Sequence, residues 1–172
     1  MNIEQTETEI LNTGTEPLLS VKDLKTYFFT DEGTVKAVDG ASFDVQSGTT
    51  LGIVGESGCG KSITAKSILQ IIDSPGRIVD GEVNFNPNGE ASRNLLEMKP
   101  NGSEIRTVRG GEISMIFQEP MTSFSPVHTF GNQIVEAIML HSSLNNQEAH
   151  DLAVDWMSRV GIPNPEQRMS EY

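Results

Sequence analysis

Cysteine is almost missing from this 172-residue sequence, and Cys59 is its only representative. A single cysteine excludes an internal disulfide and is typical of a reducing compartment. Basic residues are also scarce, since 12 Lys and Arg stand against 24 Asp and Glu and leave a formal charge of −12. That balance argues against general attraction to nucleic acid or to an anionic lipid surface.

Long apolar runs are absent as well. No window approaches the roughly 20 apolar residues that a helix needs to cross a bilayer, so we expect work at a membrane to depend on a partner. The first sixteen residues carry four glutamates among Thr and Asn, with no basic start and no apolar stretch. We therefore expect residues 1–16 to form a disordered acidic tail rather than a signal peptide. Residues 17–172 are enough for one domain with a core.

The clearest motif is a glycine-rich loop with the spacing Gly, four residues, then Gly-Lys-Ser. Its residues are Gly55, Glu56, Ser57, Gly58, Cys59, Gly60, Lys61 and Ser62. The glycines let the backbone curl so that N–H groups point at a phosphate, and a following helix adds its own N-terminal N–H groups. We expect Lys61 to contact the β- and γ-phosphates and Ser62 to bind Mg²⁺. The spacing therefore predicts a nucleotide site.

Several segments around the loop are typical of strands. Residues 18–29, 35–38 and 41–45 are rich in β-branched and aromatic residues and predict short antiparallel strands, with turns such as Asp39-Gly40 between them. The apolar run at 51–54 predicts a buried strand leading into the loop. Two further strands are predicted at 78–85 and at 113–117, the latter with so few polar positions that it should be buried on both faces.

Helical patterns follow the loop. The first predicts a largely buried helix from near Ser62 to a stop at Ser74-Pro75-Gly76, and a short helical piece is expected around 95–98. Phe130 to Met139 reads as an amphipathic helix. A clearer helix lies beyond it, with Asn145 or Asn146 as N-cap and Gly161 as its stop. Its apolar residues repeat at spacings of three and four, namely Ala149, Leu152, Ala153, Trp156, Met157 and Val160.

Taken in order, these segments resemble the nucleotide-binding subunits of ATP-binding cassette (ABC) transporters, most closely the oligopeptide and dipeptide importer ATPases. The resemblance covers residues 18–172. It rests on the opening strands at 18–29, the strand at 36–43, the Walker A wording of 55–62, the Q-loop wording of 113–123, and the segments 160–163 and 168–172.

The resemblance implies an α/β P-loop NTPase fold of the ABC ATPase type, with an N-terminal antiparallel β subdomain and part of a helical subdomain. It divides the chain into a β subdomain and P-loop core at 17–117, a Q-loop at 118–126 and the start of the helical subdomain at 127–172. The family continues with a Ser-Gly-Gly signature, a Walker B strand with a catalytic Glu, and a switch His, none of which we find. We therefore expect the C-terminal half of the core to be absent and the central strands to expose edges.

The resemblance also implies roles for individual residues. Phe28 corresponds to the aromatic residue that stacks on adenine, with Tyr27 as the alternative. Gln118 resembles the Q-loop glutamine, which contacts Mg²⁺ and the attacking water, so Lys61 and Gln118 are the expected contributors to catalysis. Ile63 continues the phosphate contacts of the loop, although the commoner family wording has a second hydroxyl residue at that position.

Two hypotheses of function follow. In the first, the chain is an ATP-binding subunit of a peptide-type importer that binds ATP and Mg²⁺ and hydrolyses ATP by phosphoryl transfer to water. Such a subunit would lie at the cytoplasmic face of the inner membrane, held by transmembrane permease subunits and paired with a second ATP-binding subunit. In the second, the chain is a truncated nucleotide-binding protein that does not hydrolyse, because the catalytic Glu segment is missing. A kinase or GTPase is disfavoured because no guanine-selective Asn-Lys-x-Asp stretch is present.

Overall fold

The computed structural model describes residues 16–87, 89, 91–118 and 124–172. The chain divides into two compact units between Glu112 and Ile113. The expected acidic tail lies outside the described residues except for Glu16, whose carboxylate accepts a hydrogen bond from Asn86 Nδ2 at 3.0 Å. The finer division at 17, 118 and 127 stays a prediction.

An antiparallel sheet forms the body of the first unit. Its strands are β1 (Leu19–Thr30), β2 (Gly33–Val45), β3 (Gly76–Phe85) and β4 (Arg93–Asn94), in the spatial order β2-β1-β3-β4. Val21, Leu24 and Val83 are at most 1% exposed and form part of its core. The strands predicted at 18–29 and 78–85 are confirmed. The turn predicted at Asp39-Gly40 is wrong, because both residues lie inside β2, where the register against β1 shifts and Gly40 has a φ of +92°.

The described part of this unit also contains three short helical pieces. They are α1 (Lys61–Ile68), a 3₁₀ turn (Leu95–Glu97) and α2 (Ser103–Val108). α1 ends well before the predicted stop at residues 74–76. Arg109 caps this end, since its guanidinium donates hydrogen bonds to the carbonyls of Leu69 at 2.7 Å and Gln70 at 2.8 Å. A cation at these carbonyls complements the negative end of the helix dipole.

The predicted buried strand at 51–54 is wrong. Residues 51–56 form neither helix nor strand, and Val54 is 95% exposed while Ile53 is 49% exposed. A strand becomes regular and buried only when neighbouring strands satisfy its backbone groups on both sides. None of the four described strands pairs with this segment, which agrees with the expectation that central strands would lack neighbours.

The second unit consists of helices. They are α3 (Phe130–His141), α4 (Asn146–Arg159) and α5 (Pro165–Arg168). Both helices predicted beyond residue 126 are confirmed, and so are the Asn145 cap and the stop at Gly161, whose φ is +80°. The core of this unit contains Val135, Ala149, Ala153, Met157 and Met169. Not one of the helices that the structure describes has the length and apolar character of a membrane span.

One strand prediction in this unit is wrong. Residues 114–117 form no strand, and Ile116 is 97% exposed rather than buried on both faces. Trp156, one of the apolar positions of the α4 repeat, is 54% exposed. Its ring is covered instead by the guanidinium of Arg159, whose central carbon lies 5.1 Å from the ring centroid.

Candidate functional site

The loop at residues 55–60 folds back on itself. Gly58 and Gly60 have φ angles of +83° and +94°, which other residues rarely adopt. The amide of Cys59 donates a hydrogen bond to the carbonyl of Glu56 at 3.3 Å. A Cβ atom on Gly55 would come within 2.5 Å of Cys59 Sγ. The path of the loop therefore favours glycine at positions 58 and 60, and the Cys59 side chain limits the space for a side chain at position 55.

The loop ends at the N-terminus of α1. The first helical hydrogen bond runs from the amide of Thr64 to the carbonyl of Gly60 at 2.8 Å. The amides of Lys61, Ser62 and Ile63 precede it, so they have no partner within the helix. The first turn has no acidic residue and no side-chain cap. This helix end is suited to an anion because its free N–H groups and the positive end of its dipole point the same way.

The Lys61 ammonium lies at the start of the phosphate loop. It donates hydrogen bonds to the carbonyls of Gly55 at 2.8 Å and Glu56 at 2.7 Å, and lies 3.5 Å from Cys59 Sγ. The side chain thus bends back from the first helical position and spans the opening of the loop. In this arrangement a cation is already held where the loop begins.

The antiparallel sheet positions α1. A Cβ atom on Gly60 would lie only 2.2 Å from the carbonyl oxygen of Ala37, so the helix start contacts the backbone of β2 directly. Further along the helix, Ser67 Oγ lies 2.7 Å from Thr26 Oγ1 of β1. Both hydroxyl residues are 0% exposed. The helix that ends the phosphate loop therefore packs against β1 and β2.

The two candidate adenine contacts lie on β1 directly after Thr26. Tyr27 donates a hydrogen bond to Asp39 at 2.5 Å, and the Lys36 ammonium lies 5.2 Å from the Tyr27 ring centroid. The bond to Asp39 raises the pKa of Tyr27, and the bonds from Tyr27 and Lys36 lower the pKa of Asp39.

Phe28 has a different environment. A Cβ atom on Gly76 would lie 2.7 Å from Phe28 Cε1 and 2.6 Å from Ile72 Cγ2, so the ring edge and Ile72 both pack closely against the start of β3. Successive side chains of a strand leave opposite faces, which puts Tyr27 and Phe28 on opposite sides of the sheet. The stacking role of Phe28, with Tyr27 as the alternative, stays a prediction.

The expected Mg²⁺ ligands lie in different units. Ser62 is exposed at the second position of α1, which suits a hydroxyl ligand beside a bound phosphate. Gln118 is exposed in the second unit, and the Q-loop residues 119–123 lie outside the described part. Among the described residues no group of three or more His, Cys, Asp or Glu could hold a metal ion. Mg²⁺ does not require such a group, because it usually binds through substrate phosphates, water and one or two protein oxygens.

Sequence reasoning missed the hydroxyl pair that joins α1 to the sheet. Ser67 follows Ile63 by four residues, a spacing that places both on one helix face. Thr26 lies 41 residues earlier in the chain, so no local spacing could have indicated it as the partner. The same holds for Arg109, which binds the carbonyls at the other end of α1, 39 and 40 residues earlier in the chain.

A glycine loop that leads into a helix, with a lysine and a serine at the first two helical positions, defines the class of phosphate-binding-loop nucleotide-binding proteins. The family can be stated more closely, because residues 38–172 match the ABC transporter family. The chain belongs to that family, and membership implies nucleotide binding.

Similar curated proteins carry names from peptide transport. The probable peptide ABC transporter ATP-binding protein y4tR of Sinorhizobium fredii is 47% identical over 90% of this chain and 44% of its own length. The oligopeptide transport ATP-binding protein AppD of Bacillus subtilis is 43% identical over 90% of this chain and 45% of its own length. The dipeptide transport ATP-binding protein DppD of Escherichia coli is 40% identical, with the same coverage as AppD. The chain thus spans less than half the length of these relatives.

Solved structures show the same fold. The dimeric bacterial ABC transporter cassette MJ0796 matches with a TM-score of 0.70 at 16% identity, over 90% of this chain and 60% of that one. A second structure of that cassette, a post-hydrolysis state bound to ADP and phosphate, matches with a TM-score of 0.65 at 17% identity, over 88% of this chain and 66% of that one. The fold class expected from the sequence is therefore confirmed.

Proposed function

We propose that this chain forms the ATP-binding part of an importer subunit for peptides. The observation that carries the proposal is the loop from Gly55 to Ser62, in which free helical amides and the Lys61 ammonium converge. The names of the similar proteins, which are peptide, oligopeptide and dipeptide transport ATP-binding proteins, support the choice of substrate class.

The loop residues act on the phosphates of ATP. Backbone amides of the loop and of the first turn of α1 donate to phosphate oxygens, and Lys61 exchanges the carbonyls of Gly55 and Glu56 for oxygens of the β- and γ-phosphates. Ser62 would hold Mg²⁺ through its hydroxyl, and the ion would supply neutralisation of the phosphate charge. Phe28 provides an aromatic surface for the adenine base.

Transport would require further parts. We infer that the subunit works at the cytoplasmic face of the inner membrane, held there by transmembrane permease subunits and paired with a second ATP-binding subunit. Hydrolysis would use water as the acceptor of the phosphoryl group. Gln118 is the residue of this chain proposed to orient that water, and the general base would come from outside residues 1–172.

Replacement of Lys61 by alanine tests the binding site. We expect Lys61→Ala to weaken binding of a fluorescent ATP analogue with Mg²⁺ by about ten- to hundredfold, because a hydrogen-bonding cation is lost. Lys66→Ala is the matched control, since Lys66 lies on the same helix but pairs with Asp73 at 2.9 Å. Equal affinities of the wild type and Lys61→Ala would contradict the proposed site, and tight GTP binding without ATP binding would contradict the proposed nucleotide.

Phosphate release separates the two functional hypotheses. Sustained Mg²⁺-dependent release that disappears in Lys61→Ala would show that the chain hydrolyses ATP. Binding without release would favour the second hypothesis, in which the chain binds nucleotide but does not hydrolyse it.

A further inference from the structure

We propose that Thr26 and Ser67 are positioning residues that hold the phosphate loop in register with the strand that offers the base contact. The inference rests on the proposed function, because it concerns how one ATP molecule is held at both ends. Neither residue is expected to touch the nucleotide.

The two side chains form a directed hydrogen-bond chain. Ser67 Oγ donates to the carbonyl of Ile63 at 2.7 Å, and this carbonyl can only accept. The single proton of Ser67 is thereby used, so the contact of 2.7 Å between the two hydroxyls has Thr26 Oγ1 as its donor. The chain therefore runs from Thr26 through Ser67 to Ile63, which lies in the first turn of α1.

Burial makes this chain effective. Both side chains are 0% exposed, so water does not compete for their hydrogen bonds. Moving Ser67 away from Thr26 would leave the buried Thr26 hydroxyl without this acceptor, an arrangement that proteins avoid. The side chain of Thr26 thus selects one position of the helix on the sheet.

The two ends of this hydrogen-bond chain lie beside the residues proposed to contact the two ends of ATP. Thr26 directly precedes Tyr27 and Phe28, the candidate base contacts. Ile63 follows Lys61 and Ser62, the phosphate and Mg²⁺ contacts, and Thr64 Oγ1 adds a bond of 3.0 Å to the carbonyl of Gly60 within the same turn. A shift of α1 along β1 would change the distance between the base-contact residues and the phosphate-contact residues. Each group of residues would keep its own internal geometry.

Comparison of two ligands tests this inference. ATP requires both contacts at once, whereas inorganic tripolyphosphate requires only the loop and the helix start. Calorimetric titrations of both ligands, with Mg²⁺ and the full chain, give their affinity ratio. We expect Thr26→Val and Ser67→Ala to reduce the preference for ATP roughly two- to tenfold, the range expected for one hydrogen bond, while tripolyphosphate affinity is unchanged. The double variant should lose no more than either single variant, because both interrupt one chain.

Control variants separate positioning from general stability. Thr26→Ser keeps the hydroxyl and should restore the wild-type ratio. Ser20→Ala changes another buried hydroxyl residue of β1, which is 8% exposed, and should leave the ratio unchanged. Thermal unfolding of each variant sets a titration temperature at which it is folded.

Four results would overturn the inference. Equal weakening of ATP and tripolyphosphate binding would mean that the pair only maintains the loop, and wild-type affinities for both ligands would mean that it does not position the helix. Both results leave the proposed function intact. If the wild-type chain binds ATP no better than tripolyphosphate, no base contact contributes to affinity and the inference fails. Failure to bind either ligand would contradict the proposed function itself.

Discussion

Gly60 is restricted in two independent ways. Its φ of +94° disfavours any side chain, and a Cβ atom would lie 2.2 Å from the carbonyl oxygen of Ala37. Gly58 has a similar φ of +83° but open space around its missing Cβ. The two glycines of one loop therefore allow backbone strain and steric contact to be separated.

We expect Gly60→Ala to destabilise the chain more than Gly58→Ala. Both substitutions carry a left-handed backbone cost of about 1–2 kcal/mol, but only the alanine at position 60 must also push β2 away from α1. Urea unfolding of the two variants against wild type measures the difference. Equal losses in unfolding free energy would show that the contact with Ala37 relaxes freely.

At this scale the sequence predicted the residues that belong to a short motif. The spacing from Gly55 to Ser62 was enough to predict the loop, its glycines and the start of α1, because each is determined by neighbours in the chain. The contacts of Thr26 and Arg109 could not be predicted this way, since their partners lie about 40 residues away.

α4 begins with a reciprocal cap. Asn145 Oδ1 accepts a hydrogen bond from the amide of Glu148 at 3.0 Å, and the Glu148 carboxylate accepts one from the amide of Asn145 at 2.8 Å. This capping box satisfies two backbone donors at the helix N-terminus. The following buried face, with Ala149, Ala153 and Met157, forms part of the core of the second unit.

We expect Asn145→Ala to lower the unfolding free energy of this unit by about 1 kcal/mol, the usual cost of losing an N-cap. Asn146→Ala is a close control, because residue 146 is already inside the helix and alanine is favourable there. Thermal unfolding followed by circular dichroism measures both. A larger loss in Asn146→Ala than in Asn145→Ala would contradict the assigned cap.

There is a physical reason why the helices of the second unit were predicted correctly while two predicted strands did not form. The signals for α3 and α4 lie within each segment, as apolar spacing, a cap and a glycine stop. The apolar runs at 51–54 and 113–117 predict strands only if other strands pair with them, and apolar composition carries no information about partners. The same runs consequently appear as largely exposed segments that are irregular at 51–54 and at 114–117.

Across the whole molecule, backbone protection should be uneven. β1 is paired on both sides, by β2 and β3, whereas residues 51–56 and 114–117 form no regular element. We expect hydrogen exchange to be slow in the central residues of β1 and close to the unfolded rate in the two unpaired segments. Mass spectrometry of peptides from these regions provides the measurement. Slow exchange at 51–56 would contradict the irregular conformation and would favour a regular paired strand there.

The exposed side chain of Val54 also affects how separate copies of the chain behave in concentrated solution. An exposed apolar segment that belongs to no sheet is a surface on which a second copy can pair. The formal charge of −12 opposes such encounters, because molecules of one sign repel at low ionic strength. Salt or acid weakens this repulsion, so the colloidal stability of the protein depends on its carboxylates, and exposed apolar side chains such as that of Val54 are where we expect self-association to begin.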